Sequence, residues 1–283
     1  MLLDISKIFS VSTVFGFWIF QISQFSNHNQ CALHMVEQIR NEKLKTTQNK
    51  NGSNTNPVVD DLLRVSTRSD LPARTTTART PGVGAKNHFS CAFVYGPGAG
   101  CVMKTDSLTE KRLALVLLAR AEVADLENQV LFHWIDKDGT EKKHFFDFRA
   151  TMMDGSRVAI MVKYHKKLEQ EGFRDEIACI ASQVTPDFAD RVTLVTEKHL
   201  DPIELHNATL FNAVRDPDPA ADSVMRDAVA NLVGAVKISD LIAHTGLGGR
   251  GFRAITRLIG NREASLQRAA RIDYNSFIIR SAA

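Results

Sequence analysis

Apolar and polar positions divide the chain into stretches of different character. Over residues 1–86 there is no lasting periodicity. An apolar run at 8–22 (IFSVSTVFGFWIFQI) is followed by a polar, Asn-rich segment at 41–56 and a Thr/Arg segment around Arg74 and Arg79. The apolar run is shorter than the ~20 residues that a membrane-spanning helix needs. It lacks a net basic flank, because Asp4 offsets Lys7, and no small-residue cleavage site follows it. Neither a span nor a secretory signal is therefore predicted, and Met35 is a candidate start of the mature protein. The polar segments cannot bury enough apolar area to offset the entropy of ordering, so residues 1–86 are expected to be disordered or poorly ordered.

Regular patterning begins near Asn87. Residues 88–95 (HFSCAFVY) read as a short strand and 96–100 (GPGAG) as a turn. That glycine cluster lacks the lysine and the following helix of a phosphate-binding loop, and is read as structural. A helix is predicted over 107–126, with Leu113, Ala114, Leu117, Leu118 and Ala121 on one face. Ser107 and Glu110 fit the S-x-x-E capping box that opens such a helix. Glu110 also shares the apolar face, so it caps the helix, points at whatever the helix covers, or does both. Residues 129–135 (QVLFHWI) alternate as a strand, and 136–140 (DKDGT) supply a hairpin turn. Residues 144–163 read as two strands joined at Asp154-Gly155. A helix over 166–183, with Phe173, Ile177 and Ile180 inward, a strand over 191–196 and a helix from Asp201-Pro202 to about Ala213 complete this part.

The composition of 215–222 (RDPDPAAD) marks a linker and a domain boundary. Helices over 223–232, 238–244 and 249–259 follow, then strands at 265–267 and 275–280. Helix, helix-turn-helix and β-ribbon is the order of a winged helix. The prediction is an α/β protein: a poorly ordered region over 1–86, a mixed sheet flanked by helices over 87–214, and a small winged-helix domain over 215–283.

The most unusual chemistry lies in 144–163. Asp147 and Lys163 are each surrounded by apolar residues, and a buried charge is costly unless it is paired or holds a metal. Hydrolysing a phosphodiester requires an attacking water, a metal that polarises the phosphate, and positive charge for the developing oxyanion. Two carboxylates from different elements can hold Mg²⁺, which prefers hard oxygen ligands. A lysine can orient or deprotonate the water. Glu110, Asp147 and Lys163 supply that set, although an ion pair serving only packing also accounts for Asp147 and Lys163. If 153 pairs with 156, Asp147 faces the same side as Val162. For Asp147 and Lys163 to stand opposite each other on one face, the strand must carry a bulge, or the loop must span 154–156 so that 153 pairs with 157. That register is predicted.

Composition changes the picture little. Net charge is +3, with 44% hydrophobic and 24% charged residues, which suits a globular protein and permits a nucleic-acid partner without requiring one. No acid occurs over 71–105, where Arg74, Arg79, Lys86 and Lys104 occur. Such an arm suits a DNA backbone or is a plain polar tail. Cys31, Cys91, Cys101 and Cys179 show neither zinc nor disulfide spacing, which suits a reducing, cytoplasmic setting. His133, His144 and His165 lack zinc spacing, and packing or surface roles are expected. Arg250, Arg253 and Arg257 recur at helical spacing as a DNA-binding stripe or a solvated face.

In order and spacing, SLTE (107–110), LENQ (126–129), HFFDF (144–148), DGSRVAIMVK (154–163) and VTEKHLDP (195–202) resemble the TnsA endonucleases of heteromeric transposons. The resemblance covers about 104–212. It implies a restriction-endonuclease-like domain followed by a winged helix, and Mg²⁺- or Mn²⁺-dependent cutting of DNA at transposon ends. It further implies Glu110, Asp147 and the Val162 carbonyl as metal ligands, and Glu110, Asp147 and Lys163 as catalytic residues. A separate transposase subunit and an ATPase regulator are the implied partners, with no membrane. Two positions depart from the family. Met161 stands where a glutamate or glutamine is usual, and a thioether is a poor Mg²⁺ ligand; Phe146 replaces the usual proline. A catalytically weakened or inactive DNA-binding or assembly subunit is the alternative expectation.

Overall fold

The computed structural model describes residues 71–75, 77–79 and 89–281, which belong to one compact unit, Asp70–Ala283. The apolar run, the Asn-rich segment, Met35, Cys31 and Lys86 lie outside the described residues.

The protein is α/β. Strands β1 (Ala73–Arg74), β2 (Cys91–Tyr95) and β3 (Cys101–Thr105) form a small sheet in the order β1-β3-β2. Strand β1 corrects the expectation of disorder up to residue 86. It runs parallel to β3, with Ala73 opposite Cys101 and Arg74 opposite Val102, and the Thr75 hydroxyl donates to the Val102 carbonyl at 2.9 Å. A polar segment can dock in this way because the open edge of β3 offers backbone groups, and apolar side chains are not required.

Helix α1 (Leu108–Ala119) opens at Ser107, whose Oγ accepts from the Glu110 N–H, as the capping box predicts. It ends well before residue 126. Residues 123–128 instead begin strand β4 (Val123–Ile135), because strand β5 (Glu141–Met152) is long enough to pair with all of it. Strand β6 (Arg157–Val162) pairs antiparallel with β5, and β7 (Arg191–Val195) pairs parallel with β6, giving the mixed order β4-β5-β6-β7. The helix predicted over 166–183 is broken. A 3₁₀ turn (His165–Glu169) precedes Gly172, whose φ of 75° interrupts the α conformation, and α2 (Phe173–Ser182) follows. Only glycine adopts that left-handed geometry without a steric cost.

Helices cover both faces of the four-stranded sheet. On one face Leu113, Ala114 and Leu117 of α1 pack on Leu126, Phe148, Ala150, Val158, Ile160 and Val162. On the other, Ile177 and Ile180 of α2 pack on Trp134, Phe146, Ala159 and Met161. Helix α3 (Pro202–Ala213) lies against α1 through Leu115, Val116 and Ala208, and Glu204 accepts two hydrogen bonds from Arg120 at 2.7 and 2.9 Å.

One detail of these cores positions the site. Phe146 and Phe148 would share a face in a regular strand, yet they lie in opposite cores. The partner strand shows the same exchange, with Leu126 in one core and Trp134 in the other. The ladder pairs Asn128 with Phe148 and Val130 with Phe146, and skips Gln129 and Asp147. Gln129 has a φ of 53°, so the hairpin turns over at that step. The run HFFDF therefore carries apolar residues on both sides of Asp147 because each half of the strand buries a different face.

The β5–β6 register also corrects the sequence. Met152 donates to the Ser156 carbonyl at 2.8 Å, and Phe148 lies opposite Ile160. The closing pair is thus 152 with 156, and extension of the ladder puts Asp147 across from Met161, not Lys163. The Asp154 carboxylate explains the shift. It accepts from the Ser156 amide at 2.9 Å and hydroxyl at 2.6 Å, and with Gly155 at a φ of 84° it makes a three-residue loop ending in the left-handed region.

The C-terminal part comprises α4 (Pro219–Ala230), β8 (Val236–Lys237), α5 (Ile238–Thr245), α6 (Gly249–Gly260), β9 (Ala264–Leu266) and β10 (Phe277–Arg280). Its strands form an antiparallel sheet in the order β8-β10-β9. Met225, Ile238, Ile255, Leu258, Ile272 and Ile278 fill its own core. Asn207 of α3 ties it to the first part, donating to the Ala270 carbonyl and accepting from the Ile272 amide, both at 2.9 Å. Among the described residues no helix is long and apolar enough to cross a membrane.

Candidate active site

Asp147 sits where β5 turns over and parts from β6. It is only 7% exposed. In a continued ladder the next hydrogen-bonded pair after Phe148 and Ile160 would be Phe146 and Val162. The side chain takes that place: Asp147 Oδ2 accepts from the Val162 N–H at 2.6 Å. The same oxygen receives Lys163 Nζ at 3.5 Å. Despite that cation, burial pushes the Asp147 carboxyl above its ordinary range, with Lys163, the Val162 amide and Arg79 acting in the opposite direction.

Glu110 reaches the same region from the first turn of α1 and is 5% exposed. Its two oxygens accept from the Asp106 amide at 2.9 Å and from Ser107 Oγ at 2.8 Å, so the capping role is real. Burial, then the charge of Asp147, raises its pKa to about 7. The structure thus brings Asp147 and Lys163 into contact and sets Glu110 within electrostatic reach of Asp147. The three come from a helix and two strands that are far apart in sequence.

A cleft of about 530 Å³ opens beside these groups, lined in part by Arg79, His144, Asp147, Lys163 and Lys167. His144 is half-buried with its ring edge-on to Phe146 at 4.9 Å, which agrees with the expected packing role. Burial, helped by the Lys163 charge, lowers its pKa to about 4, so it is neutral near pH 7. Its Nε2 is buried without a hydrogen-bond partner among the described residues.

Sequence reasoning missed two contributors. Arg79 was grouped with the disordered arm, yet its guanidinium donates through Nε and Nη2 to Gln129 Oε1 at 3.2 and 2.9 Å. It also pairs with the Asp106 carboxylate and lies over the Phe145 ring at 5.3 Å. Gln129 was read only as the start of a strand. It is buried and left-handed, a geometry that costs a non-glycine residue about 1–2 kcal/mol. Strain of that kind is retained where the surroundings require it. The missed signal was the lone arginine pair, Arg74 and Arg79, in an acid-free stretch.

Whether these residues suit a divalent cation can be judged from their donors. Asp147, with Lys163 on one of its oxygens, and Glu110, whose proton affinity the Asp147 charge raises, are buried carboxylates of the kind a hard cation takes. A strand residue directs its N–H and C=O to the same side, so the Val162 carbonyl lies on Asp147's side of β6. These oxygen donors are of the chemical type that Mg²⁺ or Mn²⁺ takes. Among the described residues no three His, Cys, Asp or Glu side chains converge as a metal-holding group, so any further ligands would be backbone or water. Met161 is fully buried among Phe146, Ile177 and Ile180 and supplies core volume at the position where an oxygen ligand was sought.

The predicted arginine stripe does not survive as a unit. Arg257 is 8% exposed; it pairs with Asp222 and donates to the Val214 and Asp216 carbonyls at 3.2 and 3.1 Å. It therefore clamps the linker and presents nothing to a groove. Arg250 is exposed but makes two 2.7 Å hydrogen bonds to Asp218. Arg253 alone is exposed without an ion pair to a described residue. The reason is the linker itself: Asp216, Asp218 and Asp222 fold back onto α6. No protein-family model and no curated protein matches the sequence.

Proposed function

We propose that the chain is a metal-dependent DNA endonuclease of the TnsA kind, acting at transposon ends. The observation that carries this reading is the contact of buried Asp147 with Lys163 at one cleft, with buried Glu110 within electrostatic reach of Asp147. The mixed four-stranded sheet with helices on both faces supports a restriction-endonuclease-like fold for 89–214. The order α4-β8-α5-α6-β9-β10 supports a winged helix after it, whose partner would be DNA or an assembly subunit.

In this mechanism Glu110, Asp147 and the Val162 carbonyl would hold Mg²⁺ or Mn²⁺, which would supply polarisation of the scissile phosphate and a more acidic attacking water. Lys163 orients that water and offsets charge on the phosphate oxygens, while Asp147 in turn holds the ammonium in place. Neutral His144, packed edge-on against Phe146, adds no charge of its own beside Lys163. By resemblance, a transposase subunit and an ATPase regulator are the partners.

A second reading keeps the fold without the chemistry, as a DNA-binding or assembly subunit. Met161 favours it, because the site has one oxygen fewer than the family pattern. Two measurements decide between the readings. Supercoiled DNA with Mg²⁺ or Mn²⁺ should be nicked by the native protein and not by Asp147→Ala; cutting that survives this substitution sinks the mechanism. Calorimetry with Mn²⁺ should show binding that Asp147→Ala abolishes, and a native protein that takes up no Mn²⁺ favours the second reading.

A further inference from the structure

Arg79 arrives at the cleft from outside the sheet that builds it. Strand β1 docks on β3, and the segment after it brings the guanidinium beside Phe145, Gln129 and Asp106. The side chain is half-exposed, at 47%, and lines the same cleft as Asp147 and Lys163. A guanidinium has two usable edges. The Nε–Nη2 edge is occupied by Gln129 Oε1, and the second Nη2 hydrogen goes to Asp106. The remaining nitrogen, Nη1, makes no hydrogen bond to a described residue, although Asp147 is near enough to feel the charge.

The anchoring is more elaborate than a surface arginine needs. Gln129 holds a left-handed backbone and is buried, and among the described residues its Oε1 accepts from the arginine alone. Asp106 carries the arrangement further, since its carboxylate pairs with Arg79 while its amide donates to Glu110 Oε2 at 2.9 Å. A guanidinium held through Nε and Nη2, with Nη1 still able to donate, is suited to an oxyanion that accepts from that nitrogen. The carboxylates Glu171 and Glu176 also line the cleft, so an anion there is received by the cations Arg79, Lys163 and Lys167 that line it with them.

We propose that Arg79 is a phosphate-binding residue of the cleft, contributed by the β1 arm and held by Gln129 and Asp106, whose ligand is a backbone phosphate of DNA. This deepens the nuclease reading of the same cleft and rests on it for the choice of ligand. The arm would then be part of the site, so that its docking and occupation of the cleft favour each other.

The test uses the full chain and a short DNA duplex, with binding followed by fluorescence anisotropy in Ca²⁺ over a range of salt. One phosphate contact contributes about 0.9 to the slope of log K against log salt. Arg79→Ala and Arg79→Gln should each make the slope less negative by about that amount, and Arg79→Lys should retain most of it. A slope unchanged in both neutral variants overturns the proposal, as does a native protein that binds no duplex. Nicking assays on the same proteins separate the two ideas. If the slope falls but no metal supports nicking, the nuclease reading fails while Arg79 stands as a phosphate ligand. If Asp147→Ala abolishes nicking while the Arg79 slopes stay native, the nuclease reading stands and this proposal falls.

Discussion

Two places in this protein bury opposite charges, and they differ in how completely those charges are satisfied. At the linker, Arg257 and Asp222 meet through several short hydrogen bonds, and the rest of the guanidinium is taken up by the Val214 and Asp216 carbonyls. At the cleft, Asp147 has one lysine at 3.5 Å, Glu110 makes no ion pair to a described residue, and both carboxyls are pushed toward the protonated form. Burial of charge is therefore no mark of function by itself. A saturated pair is a fastener, whereas a buried set left short of positive charge has capacity for something else.

That contrast can be broken by substitution, and the largest effect belongs to the fastener. Arg257→Met leaves Asp222 buried without its cation and should lower stability by about 3–5 kcal/mol, measured by denaturant unfolding. A loss under 1 kcal/mol would show that the clamp is ornamental. Adding Asp222→Leu to that variant should recover most of the loss. In the cleft the expectation is reversed. Asp147→Asn preserves size and an acceptor for the Val162 amide, so melting should barely move, while the nicking rate falls about 10²-fold or more. A variant that melts far below the native protein would place Asp147 with the fasteners.

The third effect is one of pH. Folding raises the Glu110 pKa from its ordinary 4.5 to about 7, so between those values the native state holds a proton that the unfolded chain has released. Its contribution to stability is present below pH 4.5 and is lost as pH rises to about 7. His144 acts in the opposite sense, because the unfolded chain protonates near 6.5 and the native ring only near 4. The two partly cancel in the native protein. Comparison with Glu110→Gln at each pH removes the histidine, and the stability difference should decline from pH 4.5 to 7 and then level off. A flat difference would mean that Glu110 is ordinarily solvated. The smallest effect is that of Ser107→Ala, which removes the helix cap at a cost of about 1 kcal/mol and frees one Glu110 oxygen.

Much of this arrangement was legible in the sequence where a single local rule governed. The caps at Ser107 and Asp201, the Asp136–Thr140 turn and the last two helices lie where spacing and turn residues put them, whereas α4 begins at Pro219, inside the expected linker. Glu110, Asp147 and Lys163 could be named because charge among apolar residues is conspicuous. Long-range partners decided the rest. Residues 123–126 look helical until β5 offers them a ladder, and the arm looks disordered until the β3 edge receives it. The register slipped because an Asp154 side chain, not the strand pattern, sets the loop. Arg257 reads as a surface cation until an acidic linker folds over it.

The turnover at Gln129 and Asp147 also governs which length changes the hairpin can absorb. Beyond that crossing, Phe132, Trp134 and Phe146 all point toward α2. One residue inserted into either limb there would swing every side chain between the insertion and the tip to the wrong layer, whereas the tip at 137–139 answers to neither layer. Growth or shortening of this finger in descendants of the sequence should thus be confined to the tip, or come in steps of two, leaving the stem that carries the carboxylate untouched.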